Sequence, residues 1–130
     1  PLHPRTRAIL AQLPDGPSLL GGLRLLEPVG YLDMVTLEKN ARLIATDSGG
    51  VQKEAFFQRV PCLTLRDETE WVELVAIGWN RLVPPTSAEA ITEAIRGALG
   101  QPPPAEPSRS LYGGGQAGRR IVALLDQEST

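Results

Sequence analysis

Residues 46–54 read Thr-Asp-Ser-Gly-Gly-Val-Gln-Lys-Glu, and the fold follows from how this stretch joins its neighbours. The preceding run Leu43-Ile44-Ala45 is apolar without alternation, as expected of a strand covered on both faces, and Ala55, Phe56 and Phe57 give an apolar face to a following helix. Gly49 and Gly50 let the backbone turn sharply between the two and come close to a ligand. Amides at a helix start attract an anion, and the Ser48 hydroxyl can donate to the same group. Glu54 falls about one turn into the helix, where a carboxylate can accept both hydroxyls of a ribose. The pattern is that of a phosphate and ribose site. A plain tight turn, with Asp47 or Ser48 as helix cap, is the alternative that these residues alone leave open.

Outward from that stretch, helical and strand patterns alternate, which argues for an α/β fold with a Rossmann-like parallel sheet and flanking helices. Strands are expected at residues 24–28, 43–47, 62–65 and 81–83. Helices are expected at 5–13, 31–40, 51–59 and 69–77, the last capped by Asp67 with Glu70 as its capping-box partner. Ser87 is the expected cap of a helix striped by Ile91, Ile95, Ala98 and Leu99. Residues 100–111 form a linker with four prolines in its first part, and residues 112–130 hold a glycine motif and a final amphipathic helix marked by Ala117, Ile121, Leu124 and Leu125. Residues 1–99 then make up the nucleotide-binding part.

Thirteen basic and fifteen acidic residues among 130 give a net charge of −2, which offers no electrostatic case for nucleic acid or an anionic membrane. No apolar run approaches the roughly 20 residues of a membrane span, so a cytoplasmic protein is expected. The single cysteine, Cys62, lies in an apolar strand and reads as a buried thiol. With one histidine and no carboxylate cluster of ligand spacing, neither a metal site nor a cofactor is expected. His3, Asp33, Asp67 and Glu70 read as structural residues at helix starts rather than as acids or bases.

Residues 46–54, Pro61-Cys-Leu-Thr-Leu-Arg66, Asp67-Glu-Thr-Glu-Trp-Val-Glu73 and Tyr112-Gly-Gly-Gly-Gln-Ala117 together resemble, in order, the C-terminal part of the non-hydrolysing UDP-N-acetylglucosamine 2-epimerases. The resemblance begins at His3-Pro4-Arg5 and includes Tyr31-Leu-Asp-Met-Val35. It implies a fragment of the second domain of a two-domain GT-B-type fold, in a protein that forms a homodimer and inverts C2 of a UDP-sugar by eliminating and re-adding UDP. It matches Ser48, Gly49 and Gly50 to the loop that holds the phosphates, Glu54 to the ribose carboxylate, and the stretch containing Val29 and Met34 to the segment that meets uracil. Catalytic carboxylates belong to the family's first domain and a ligand-binding histidine to a His-Arg-Arg-Glu-Asn stretch; neither is in this sequence, so no catalytic residue is assigned. In a sheet of order 3-2-1-4-5-6, loss of the first two strands would isolate strand 24–28 and leave bare edges that invite pairing with another chain.

Three departures from the family pattern stand out. Trp71 replaces an arginine that contacts phosphate, leaving Arg66 as the candidate to take over part of its charge; Met34 stands where an aromatic is common; and Gly114 replaces an aspartate. The Trp71 version resembles the subgroup acting on UDP-2,3-diacetamido-glucuronic acid. A GT-B glycosyltransferase and a non-catalytic fragment without nucleotide affinity are the competing readings.

Overall fold

The computed structural model describes residues 1–105 and 111–128. They fall into two compact units, Pro1–Asn40 and Ala41–Thr130. Residues 106–110 of the expected linker and residues 129–130 of the C-terminal segment lie outside the described residues.

The first unit is helical. Helix α1 (Pro4–Gln12) starts at His3, whose Nδ1 accepts the Arg5 N–H at 3.2 Å, with Pro4 supplying a preset φ at its first position. His3 is thus a helix cap, as its context suggests. A short α2 (Gly16–Leu19) follows, and α3 (Tyr31–Lys39) begins after Gly30. The expected strand at 24–28 is not formed. A strand needs a ladder partner to satisfy its amides, and here the backbone contact is one bond from the Leu2 N–H to the Leu26 carbonyl at 3.0 Å. An exposed ion pair between Arg7 and Glu27 at 2.8 Å lies beside it.

The second unit holds a three-stranded parallel sheet, β1 (Ile44–Thr46), β2 (Cys62–Thr64) and β3 (Asn80–Leu82), in that spatial order. Ile44 pairs with Cys62 and Cys62 with Asn80. These are the three contiguous strands expected from the sequence, the first shorter by two residues, the second by one, and the third of the expected length but one residue earlier. All three residues of β2 are buried, which is why the apolar run there shows no alternation. Leu63 packs with Val83 and Ala94 against Ile91, Ile95 and Ala98 of α6 (Ala88–Leu99), which Ser87 caps by accepting the Ala90 N–H at 3.1 Å. Thr64 points to the opposite face, where α4 (Gly49–Phe57) lies, so helices cover both sides of the sheet.

Helix α4 begins two residues earlier than its apolar pattern suggests, so both glycines sit inside its first turn. It ends in a Schellman motif: Arg59 N–H reaches the Phe56 carbonyl and Val60 N–H the Ala55 carbonyl, both at 3.0 Å, with Arg59 at φ 61°. Helix α5 is shorter than expected, Val72–Ala76, and its start has no side-chain cap. Asp67 and Glu70 therefore do not form the capping box; Thr69 Oγ1 accepts the Trp71 N–H instead, at 3.1 Å. The chain closes with a 3-10 turn at Gly113–Gly115 and α7 (Ala117–Glu128).

Candidate functional site

Ser48 is the cap of α4. Its own N–H is fixed by Thr46 Oγ1 at 3.1 Å, its carbonyl accepts from Gln52 at 3.3 Å, and its hydroxyl oxygen accepts weakly from Val51 at 3.5 Å. A serine in that role keeps its hydroxyl hydrogen for donation. With the later amides taken up, those of Gly49 and Gly50 are the ones aimed outward, as the first turn of any α-helix requires. The two readings of the Ser-Gly-Gly turn are thus not exclusive: the same serine that caps the helix borders the anion-attracting end. Glu54 follows on α4, half-buried, and its carboxylate makes no hydrogen bond or ion pair among the described residues.

Behind the loop lies a buried polar chain. Gln52 is fully buried, and its Oε1 accepts from Thr69 Oγ1 at 2.6 Å and from Asn80 Nδ2 at 2.8 Å. Asn80 Oδ1 in turn accepts from Thr64 Oγ1 at 2.7 Å. Each bond in such a surrounding satisfies a group that burial would otherwise penalise. The result ties α4 to β2, β3 and the segment before α5.

That segment returns over the loop. The Trp71 indole N–H donates to the Gly49 carbonyl at 2.7 Å, so this residue holds the loop's backbone and supplies no cation. Lys53 Nζ lies 4.3 Å from the centroids of both the Trp71 and Tyr112 rings. Arg66 pairs with Glu70 at 3.2 Å, and the Glu70 carboxylate rests against Gly49 so closely that a Cβ there would overlap it. Gly49 lies within the helix at an ordinary φ, so a Cβ there would require only that the far end of the Glu70 side chain shift, a contact the sequence alone does not disclose.

Tyr112 is an anchor rather than a flexible turn residue. Its ring meets Phe56, Phe57 and Trp71 edge-on, with centroids 5.8, 5.4 and 6.4 Å away, and its hydroxyl donates to Glu73 Oε1 at 2.7 Å. That bond, with Glu73's backbone amide and the Lys53 charge, holds the Glu73 carboxylate below its ordinary range. Burial, reinforced by Glu73, pushes the Tyr112 phenol well above its ordinary range. The depressed acid stabilises the fold above about pH 4.5 and loses that contribution as pH falls through its folded value; the raised phenol stabilises below about pH 10 and loses it as pH rises. In thermal melts from pH 3 to 11, the advantage of the wild type over Tyr112→Phe is expected to be largest near neutrality and to shrink at both ends. A difference constant with pH would show that the pair carries no linkage.

Val29 and Met34 belong to the first unit. Val29 is exposed just before the start of α3, and Met34 is half-buried in its first turn. Among the described residues no group of three or more His, Cys, Asp or Glu side chains could hold a metal ion, and no helix is long and apolar enough to cross a membrane.

The family model for UDP-N-acetylglucosamine 2-epimerase matches residues 1–126. The chain belongs to the UDP-N-acetylglucosamine 2-epimerase family. It is 48% identical over 125 residues to a UDP-2,3-diacetamido-2,3-dideoxy-D-glucuronate 2-epimerase of Pseudomonas aeruginosa, covering 96% of this chain and 33% of that protein. It is 42% identical over 126 residues to the UDP-N-acetylglucosamine 2-epimerase of Methanocaldococcus jannaschii, with 95% and 33% covered. The crystal structure of the M. jannaschii enzyme in complex with UDP-GlcNAc and UDP is similar at a TM-score of 0.77 and 42% identity, over 96% of this chain and 34% of that one. The UDP-GlcNAc-bound enzyme of Neisseria meningitidis gives 0.66 and 32%, over 98% and 35%. The chain thus spans about a third of the length of these relatives, and the expected Rossmann-like sheet of a GT-B-type epimerase is the fold it has.

Proposed function

We propose that this chain is the UDP-gripping part of a sugar-nucleotide 2-epimerase. The observation that carries the reading is the strand–loop–helix at residues 44–57: a capping serine, two outward amides at Gly49 and Gly50, and the uncommitted Glu54 carboxylate on the same helix. In this reading the loop and Ser48 take the diphosphate, Glu54 takes the ribose hydroxyls and Arg66 adds charge at the phosphates; Val29 and Met34 are assigned to the uracil by the family resemblance alone. The chain's contribution to the chemistry is to hold UDP as it departs from the sugar and returns, since charge that develops on a leaving diphosphate is stabilised best by donors already in place. Proton removal and return at C2 belong to residues outside this sequence. A family whose members are epimerases disfavours the glycosyltransferase alternative.

The sugar in this reading is either UDP-N-acetylglucosamine or the diacetamido-glucuronate form. The identities, 48% to the Pseudomonas enzyme and 47% to a UDP-N-acetylglucosamine 2-epimerase homolog of Methanococcus maripaludis, do not separate the two, and the reading leans to the second on the resemblance carried by Trp71. The domain division at residues 1–99, 100–111 and 112–130 and a cytoplasmic location remain expectations from the sequence pattern, and a homodimer one carried by the family resemblance. Incubating the complete protein that carries this chain with each UDP-sugar in D₂O, without any acceptor, is expected to yield the C2 epimer with deuterium at C2. Unchanged substrate with both sugars, or turnover only when an acceptor is added, would contradict the reading.

A further inference from the structure

The Glu70 carboxylate occupies a particular place. It rests against Gly49, the first residue of α4, with its carboxyl carbon 3.2 Å from where a Cβ on that glycine would stand, and one of its oxygens is paired at 3.2 Å with Arg66. An acidic side chain beside the first turn of a helix is favourably placed with respect to the helix dipole. The same place is next to the two amides that the proposed diphosphate would use, and the same Arg66 is the cation it would recruit.

A diphosphate and the Glu70 carboxylate cannot both sit there at low cost. Like charges a few ångströms apart at a protein surface repel strongly, whereas an exposed monodentate pair such as Arg66–Glu70, with side chains 36% and 48% exposed, contributes little. The balance favours the carboxylate leaving. Among the described residues Glu70 makes no other hydrogen bond or ion pair: the fixed members of this segment are Thr69, bound to Gln52, and Trp71, bound to Gly49. Glu70 is therefore an exposed side chain between two pinned neighbours, on a segment that need not move when the side chain swings out.

The geometry points to Glu70 as a built-in counter-anion of the diphosphate loop, which an incoming nucleoside diphosphate displaces, taking over Arg66 as it does so. The inference rests on the reading of the loop as the diphosphate site. It makes Glu70 an internal competitor: only the fraction of molecules with the side chain swung away is ready to bind, and apparent affinity falls by that fraction. It also makes Arg66 a residue that exchanges partners, held near the loop by Glu70 until the phosphates arrive. A residue of ordinary supporting function would act in the opposite sense, its removal weakening the ligand.

The test is a calorimetric titration of UDP into the wild type, Glu70→Gln and Glu70→Ala, with thermal melts to show that the variants are folded and Glu54→Ala as the control for the site itself. Both Glu70 variants are expected to bind UDP more tightly than the wild type, by roughly two- to fivefold, the upper part of the range an exposed ion pair spans. If the wild type binds with dependence on Glu54 while the Glu70 variants bind equally or more weakly, the displacement is overturned and the site reading stands. Binding in the Glu70 variants alone would support the inference in its strongest form. Absence of binding in all of them would overturn the site reading and this inference with it.

Discussion

Leu63→Ala is expected to destabilise the chain by about 2–5 kcal/mol, the range for truncating a large aliphatic side chain in a packed core. Leu63 is the middle residue of the middle strand, 2% exposed, and it joins Val83, the residue after β3, to Ala94 of α6 with Ile91, Ile95 and Ala98 around it. The neighbours on that face are small or branched, with little length to spare for filling the space. The cost therefore includes a cavity as well as the lost transfer energy. Chemical denaturation followed by far-ultraviolet circular dichroism measures it; a loss below about 1 kcal/mol would mean that α6 is not packed on this face of β2 as described.

Glu54→Ala is expected to weaken UDP binding by about tenfold or more while leaving the unfolding midpoint nearly unchanged. The carboxylate is half-buried on α4 without a partner among the described residues, so its removal breaks no bond within the fold. Hydrogen bonds to a charged acceptor contribute about 1.5–3 kcal/mol each, enough to account for a change of that size. Glu54→Gln keeps the shape and loses the charge, and is expected to fall between. A fall in stability matching the fall in affinity would instead place Glu54 in the scaffold.

Much of the sheet was legible in the sequence because parallel strands covered on both faces carry unbroken apolar runs, as residues 43–45 and 62–65 do. Caps at Ser48 and Ser87 were legible because capping is a local act between residues three apart. Residues 24–28 misled because strand-like composition is not a strand without a partner to complete the ladder. The start of α5 misled for a related reason: Asp67 and Glu70 have capping spacing, but Glu70 is drawn to Gly49, far off in sequence. Contacts across long separations are what composition and spacing do not encode. Gln52 is the sharpest case, since a glutamine at that position reads as surface and is instead fully buried, its oxygen shared by Thr69 and Asn80. Tyr112 is another; its partner Glu73 lies 39 residues earlier. The place of Trp71 in its motif did give a signal, and the structure adds a contact that the motif does not show: the indole N–H fastens the loop through the Gly49 carbonyl.

In the proposed reading the loop at residues 48–50 forms, with Glu54, a site for a nucleoside diphosphate. Calorimetric titration of UDP into the 130-residue chain, with uridine in a parallel titration, tests it most directly. Saturable one-to-one binding of UDP is expected, far stronger than that of uridine and markedly weakened in Glu54→Ala. Binding of uridine as strong as that of UDP, or heats for UDP indistinguishable from dilution, would contradict it.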